Sequence, residues 1–160
     1  MEKVKFVDTS SINKSIAELL SKQDHRTLVL WATDCAEHVL PYFEEKYPKD
    51  NRPRKAIEAG RAWVRGEIVM SEARTAAFAT HAAARDTNQD GACAAGHAAG
   101  HAAATAHVAG HAVHAATYAA KAATYAADPN NAYANTAKER HWQYQHLLDL
   151  GDNHLQHHVP

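Results

Sequence analysis

The sequence predicts an all-α fold, an antiparallel multi-helix bundle whose core is tightly packed alanine and glycine. Alanine makes up roughly a fifth of the 160 residues, far above ordinary usage, and it is the strongest helix former because it loses no side-chain entropy. Runs of alternating β-branched residues, which would mark half-buried strands, are nearly absent. The segment GHAAGH repeats small residues every four positions, which sets Gly96 and Gly100 on one helix face where another backbone can lie. Side chains this small fill so little volume that helices must approach more closely than the usual ~8–10 Å between axes.

The elements follow from local signals. Asp8, Thr9 and Ser10 offer N-caps for a first helix to about Leu20, with Ile12, Ile16, Leu19 and Leu20 as its apolar stripe. Asp24 caps a second helix carrying Leu28, Leu30, Trp31, Cys35 and Val39, until Pro41 kinks it or opens a separate turn ending near Tyr47. KYPKDNRPR is a surface loop, too short to link two domains. Pro53 suits the first turn of a third helix, and Gly66 suits its stop. Ser71 restarts the pattern for a helix over Glu72 to about Arg85, and DTNQDG turns the chain.

The alanine-rich stretch Gly91 to Ala127 is one very long helix or two, with Thr105 or Gly110 as the place for a break. DPNN ends it, and a last helix runs from about Ala132 to Leu150 with Tyr133, Trp142, Leu147 and Leu148. The expected organisation is a single domain over 1–160: a helical hairpin over 1–47, the alanine-rich bundle over 53–150, and a mobile tail over 151–160.

Charge excludes several functions. With 17 Lys and Arg against 18 Asp and Glu, there is no basic field to hold nucleic acid or an anionic membrane. Gly91 to Ala120 carries no Asp, Glu, Lys or Arg, yet its five histidines and several glycines disfavour insertion into hydrocarbon, so burial in protein is expected. No secretory leader is visible at the N-terminus, and Cys35 and Cys93 lie in helical surroundings rather than at disulfide spacings; a cytoplasmic location is expected.

Three groups of residues could carry chemistry. His97 and His101 are one turn apart, as are His107 and His111, so each pair points to one side of its helix. A metal would need a further ligand from a neighbouring helix, with His38, His81, Asp34 or Glu37 available; no HExxH accompanies the spacing, so the favoured reading is neutral core histidines and no cofactor. Asp34 and His38 are one turn apart, an arrangement in which a carboxylate orients an imidazole or makes a plain helix pair. Cys35 lacks any oxyanion element that would make it a nucleophile. Arg74, His81 and Arg85 form a polar stripe, which either recognises a partner or ties helices together through Asp34, Glu37 or Glu58. Exposure separates those two readings.

Four blocks together resemble one bacterial family: WATDCAEHVLP, DNRPRKAIEAGRAWVRGE, SEARTAAFATHAAAR and AGHAAATAHVAGHA. In order and spacing they are similar to the Imm-5-like immunity proteins of polymorphic toxin systems, and with their connections they span about Trp31 to Lys121. The resemblance implies a non-catalytic protein that binds and neutralises a cognate toxin domain by occluding or distorting its active site. It also implies that binding residues lie among Asp34, Glu37, His38, Arg52, Arg54, Arg61, Trp63, Arg74, His81, Arg85, His107 and His111. The alternatives are a metal-binding bundle using His97, His101, His107 and His111, acting as a metal-dependent hydrolase or transferase, and a self-associating homo-oligomeric scaffold.

Overall fold

A computed structural model describes Phe6, Asp8 and residues 11–158, with side chains as far as Gly151. The order is α1 (Ile12–Leu20), α2 (His25–Val39), α3 (Pro41–Glu44), α4 (Arg52–Val64), α5 (Met70–Arg85), α6 (Asp90–Ala104), α7 (His111–Ala126), a single 3-10 turn (Pro129–Asn131) and α8 (Ala132–His158). The described residues form an all-α bundle without strands.

Most boundaries follow the local signals. Asp24 accepts a hydrogen bond from the Thr27 amide at 2.7 Å and so caps α2. Pro41 opens α3, and α4 begins at Arg52 with Pro53 in its first turn. At the end of α4, Gly66 adopts φ +75°, while Glu67 N–H donates to Ala62 O and Gly66 N–H to Trp63 O. This is the paired 6→1 and 5→2 closure of a helix, and only glycine takes its left-handed position without strain.

Other boundaries differ. The first helix starts after Ser11, whose side chain makes no cap bond; Asp8 is committed elsewhere, and Thr9 and Ser10 lie outside the described residues. Helix α5 begins at Met70, ahead of the expected Glu72, with Glu72 in its first turn. The alanine-rich stretch is two helices, and the break occupies the whole segment between Thr105 and Gly110. Thr105 Oγ1 donates back to His101 O at 2.8 Å, closing α6 on itself. Helix α8 continues past the expected end near Leu150 to His158.

Helix α6 is central, touching α2, α3, α4, α5 and α7, while α8 covers α7 and α2 and carries α1. Its glycines explain the close approach: a Cβ on Gly96 would lie 3.0 Å from Ala84 Cβ and 3.3 Å from Ala84 Cα, so α5 and α6 meet almost backbone to backbone. Large side chains concentrate on α2, α3, α4 and α8 and the α2–α3 junction, at Trp31, Val39, Leu40, Phe43, Ile57 and Leu147, all essentially fully buried. Trp31 Nε1 donates to Gln143 O at 2.9 Å, so even the largest core residue has its polar atom paired.

Candidate functional site

The polar chemistry falls on two separate groups of helices. The first is a charged seam across α2, α4 and α8. Arg61 Nη2 donates to Asp34 Oδ1 at 2.7 Å, and Arg61 Nη1 to Glu37 Oε2 at 2.9 Å. The other Asp34 oxygen accepts from His146 Nε2 at 2.7 Å. Burial alone would raise the Asp34 carboxyl, but the hydrogen bonds from His146 and Arg61 hold it below the usual carboxylate range. Arg54 pairs with Glu44 at 2.8 Å and Arg52 with Asp50 at 2.7 Å, which closes the seam at its α3–α4 end.

Asp34 therefore does not orient His38. The two are one turn apart, but His38 Nδ1 donates to Glu139 Oε2 at 2.6 Å and its ring stacks on Trp142, with centroids 3.8 Å apart and planes 2° from parallel. Trp142 in turn stacks on His146. Glu139 is buried, and burial pushes its carboxyl above the ordinary value despite His38. Cys35, fully buried beneath this seam, has its thiol pushed well up by burial and by Glu139, leaving it an inert core residue.

The second face is a histidine cluster between α5, α6 and α7. His81 and His97 share a hydrogen bond between their Nδ1 atoms at 2.8 Å, and His101 and His111 share another at 3.0 Å. His81 stands edge-on to His101, and His101 stacks against Tyr118 with His114 beside it. His97 and His101, one turn apart, thus each bond to a ring on a neighbouring helix. His81 is depressed to about 4 and His101 to about 3, in both cases chiefly by burial and then by neighbouring histidines, with Arg85 adding to His81. His97 and His111 are lowered as well, burial again leading.

The expectation that His107 joins His111 in the interior fails. His107 lies in the turn between α6 and α7, where helical spacing no longer applies, and it is exposed with Nδ1 at 3.0 Å from Met70 Sδ. Among the described residues, no three His, Cys, Asp or Glu side chains converge as a metal site. Nor is any described helix long and apolar enough to cross a membrane.

Of the stripe Arg74, His81 and Arg85, none reaches Asp34, Glu37 or Glu58; Arg61 ties Asp34 and Glu37 instead. Arg74 lies over the Phe78 ring, 5.4 Å from its centroid, and both Arg74 and Arg85 are exposed. Trp63 packs its ring against His25, whose Nε2 donates to Thr105 O at 2.6 Å.

A family model described as "Imm-5 like putative immunity protein" matches residues 18–150, nearly the whole chain. The chain belongs to that family. No curated protein and no solved structure matches it. As an Imm-5-like protein it carries the matched region from the end of α1 through most of α8, so both the charged seam and the histidine cluster lie inside the family's extent.

The α8 residues Glu139, Arg140, Trp142, Gln143 and His146 are absent from the sequence-derived site. Their spacing of three and four is a legible helical stripe, but nothing local distinguishes it from an ordinary solvent face. Arg140 is nearly buried: its Nε donates to Asp8 Oδ2 at 2.7 Å, Nη1 to Gln143 Oε1 at 3.0 Å and Nη2 to Thr117 Oγ1 at 3.2 Å. Beside it lies a cavity of about 170 Å³ lined by Asn13, Ile16, Leu20, Val113 and Thr117.

Proposed function

We propose that this protein is an immunity protein that neutralises a cognate bacterial toxin domain in the cytoplasm by stoichiometric binding. The observation that carries the reading is the family match over residues 18–150. The residue chemistry is compatible with it: the only core thiol is held protonated, and the histidines of the cluster are paired with one another rather than with an acid or a nucleophile. Binding that occludes a toxin needs a complementary surface and no reactive group.

Of the residues implied by family resemblance, Asp34, Glu37, Arg52, Arg54 and Arg61 are engaged in ion pairs within the chain, and His38 is held by Glu139 and Trp142. They shape a surface more than they offer unspent charge. Arg74, Arg85 and His107 remain exposed and without a carboxylate partner among the described residues. The test is co-expression in bacteria with the toxin domain encoded beside this gene. Survival that depends on this protein, together with a 1:1 complex in solution, is the expected result; toxicity undiminished by abundant folded protein would sink the reading.

A further inference from the structure

The arginines of this chain divide sharply. Arg52, Arg54, Arg61, Arg65 and Arg140 each meet a carboxylate within the chain, at 2.7–2.8 Å for the nearest contact. Arg74 and Arg85 meet none among the described residues, and they stand on one stripe of α5 with Met70, Phe78 and His81, at successive steps of three and four. Phe78 is 60% exposed with the Arg74 guanidinium over its ring, and Val69, Met70 and Val108 are exposed at the same end of α5 and in the neighbouring α6–α7 turn.

The surroundings carry little negative charge. Asp90 stands in the first turn of α6, and from Gly91 to Ala127, through the rest of α6, the turn and α7, the sequence contains no Asp or Glu; its one formal charge is Lys121, which lies over Tyr118. Glu72 is two residues from Arg74 and so points to the other side of α5, and Asp86 is taken by Arg52 at 3.2 Å. In a protein of net charge −1, positive charge with an exposed aromatic has thus been gathered on one face and left unneutralised, while every other described arginine but Arg26 is paired.

We propose that this α5 face, with Arg74, Phe78 and Arg85 at its centre and the α6–α7 turn at its edge, receives an acidic segment of the toxin protein that also presents an apolar side chain. The assignment rests on the immunity reading above, and the chemistry is complementary on both counts: carboxylates meet two unpaired guanidinium groups, and an apolar side chain covers Phe78. A cationic stripe of this kind acts mainly on encounter, so it steers association and makes it salt-dependent.

The experiment uses the full chain and the toxin domain encoded beside its gene, with association followed over a salt series. Arg74→Glu/Arg85→Glu is expected to slow association about ten-fold or more and flatten its salt dependence, while its melting temperature stays at the wild-type value because both side chains are exposed. Phe78→Ala is expected to accelerate dissociation. Arg26→Glu, a reversal on α2, is expected to leave both rates unchanged. Unaltered association of the double variant, or an equal loss with Arg26→Glu, would overturn the assignment while leaving the immunity reading standing.

If the wild-type chain does not bind that toxin, the immunity reading fails by itself. The face is then tested with a defined probe, a synthetic Asp/Glu-rich peptide containing one leucine, by amide chemical-shift perturbation. Shifts confined to α5 and the α6–α7 turn, and lost in the double variant, support the acidic-segment chemistry. Shifts elsewhere or none, or equal perturbation by a single-stranded oligonucleotide of the same charge, refute it.

Discussion

The ring of His81 occupies the place that a side chain at Gly100 would fill: a Cβ built on Gly100 stands 2.5 Å from His81 Cε1 and 2.6 Å from its Nε2. The ring cannot simply swing aside, because Nδ1 is bonded to His97 and the ring packs edge-on to His101. The close approach of α5 and α6 and the histidine cluster are therefore one feature, in which a missing side chain on α6 makes room for an imidazole from α5.

Gly100→Leu is expected to lower stability by about 1–3 kcal/mol or more, read as a fall in the thermal midpoint. His81→Ala in the same background should recover part of the loss, since it vacates the contested space; strictly additive effects in that cycle would show that the two residues do not compete. Gly110→Ala is the contrasting case. A Cβ there meets nothing within 4 Å and φ is −60°, so a change within about 1 kcal/mol is expected.

Gln143 is fully buried and ties three helices: its Nε2 donates to Ala116 O at 2.9 Å, its Oε1 accepts from Arg140, and its backbone O accepts from Trp31. Gln143→Leu roughly keeps the volume but removes the second bond on Ala116 O, which retains its helical partner, and leaves one buried Arg140 donor without an acceptor. The expected loss is about 1–3 kcal/mol, measured by urea denaturation with an unchanged m-value. A variant as stable as wild type would mean that water replaces the Gln143 oxygen.

Acid should destabilise the bundle in two stages. His81 and His101 have folded values near 4 and 3, below the ordinary 6.5, so the unfolded chain binds their protons first. Their contribution is complete above about pH 6.5 and is lost as pH falls towards 4 and then 3. Asp34 and Glu37, depressed by their hydrogen bonds, add a second loss below the ordinary carboxylate range. Glu139 has the opposite sign: its raised value favours the protonated form, so lowering pH relieves it. Melting curves between pH 7 and pH 4 should show a net decline, weakened in His81→Ala. A midpoint constant over that range would contradict the buried-neutral description.

Chelation separates histidine packing from histidine ligation. Because no three His, Cys, Asp or Glu side chains converge among the described residues and His81, His97, His101 and His111 pair with one another through Nδ1, EDTA at neutral pH is expected to leave the melting temperature of untagged protein unchanged. Elemental analysis should find much less than one equivalent of zinc, iron, manganese or nickel. A stoichiometric metal whose removal lowers the midpoint would establish the metalloprotein alternative.

What the sequence by itself determined is whatever depends on neighbours along the chain. The all-α class follows from alanine's propensity, the α2 start from Asp24 and the α4 end from Gly66, because capping and helix termination involve atoms within a few residues; Thr105 and Gly110 marked where the alanine-rich stretch breaks, while its being two helices came from the tertiary structure. That Asp34 and Glu37 tie helices through an arginine was legible as one of two readings. Which arginine meets which carboxylate was not. Arg61 rather than Arg74 or Arg85 reaches Asp34 and Glu37, Glu139 rather than Asp34 takes His38, and His81 rather than His107 completes the imidazole cluster. These pairings depend on the distance and rotation of one helix relative to another, which alanine and glycine faces leave nearly unencoded in side-chain pattern, so only tertiary packing decides them.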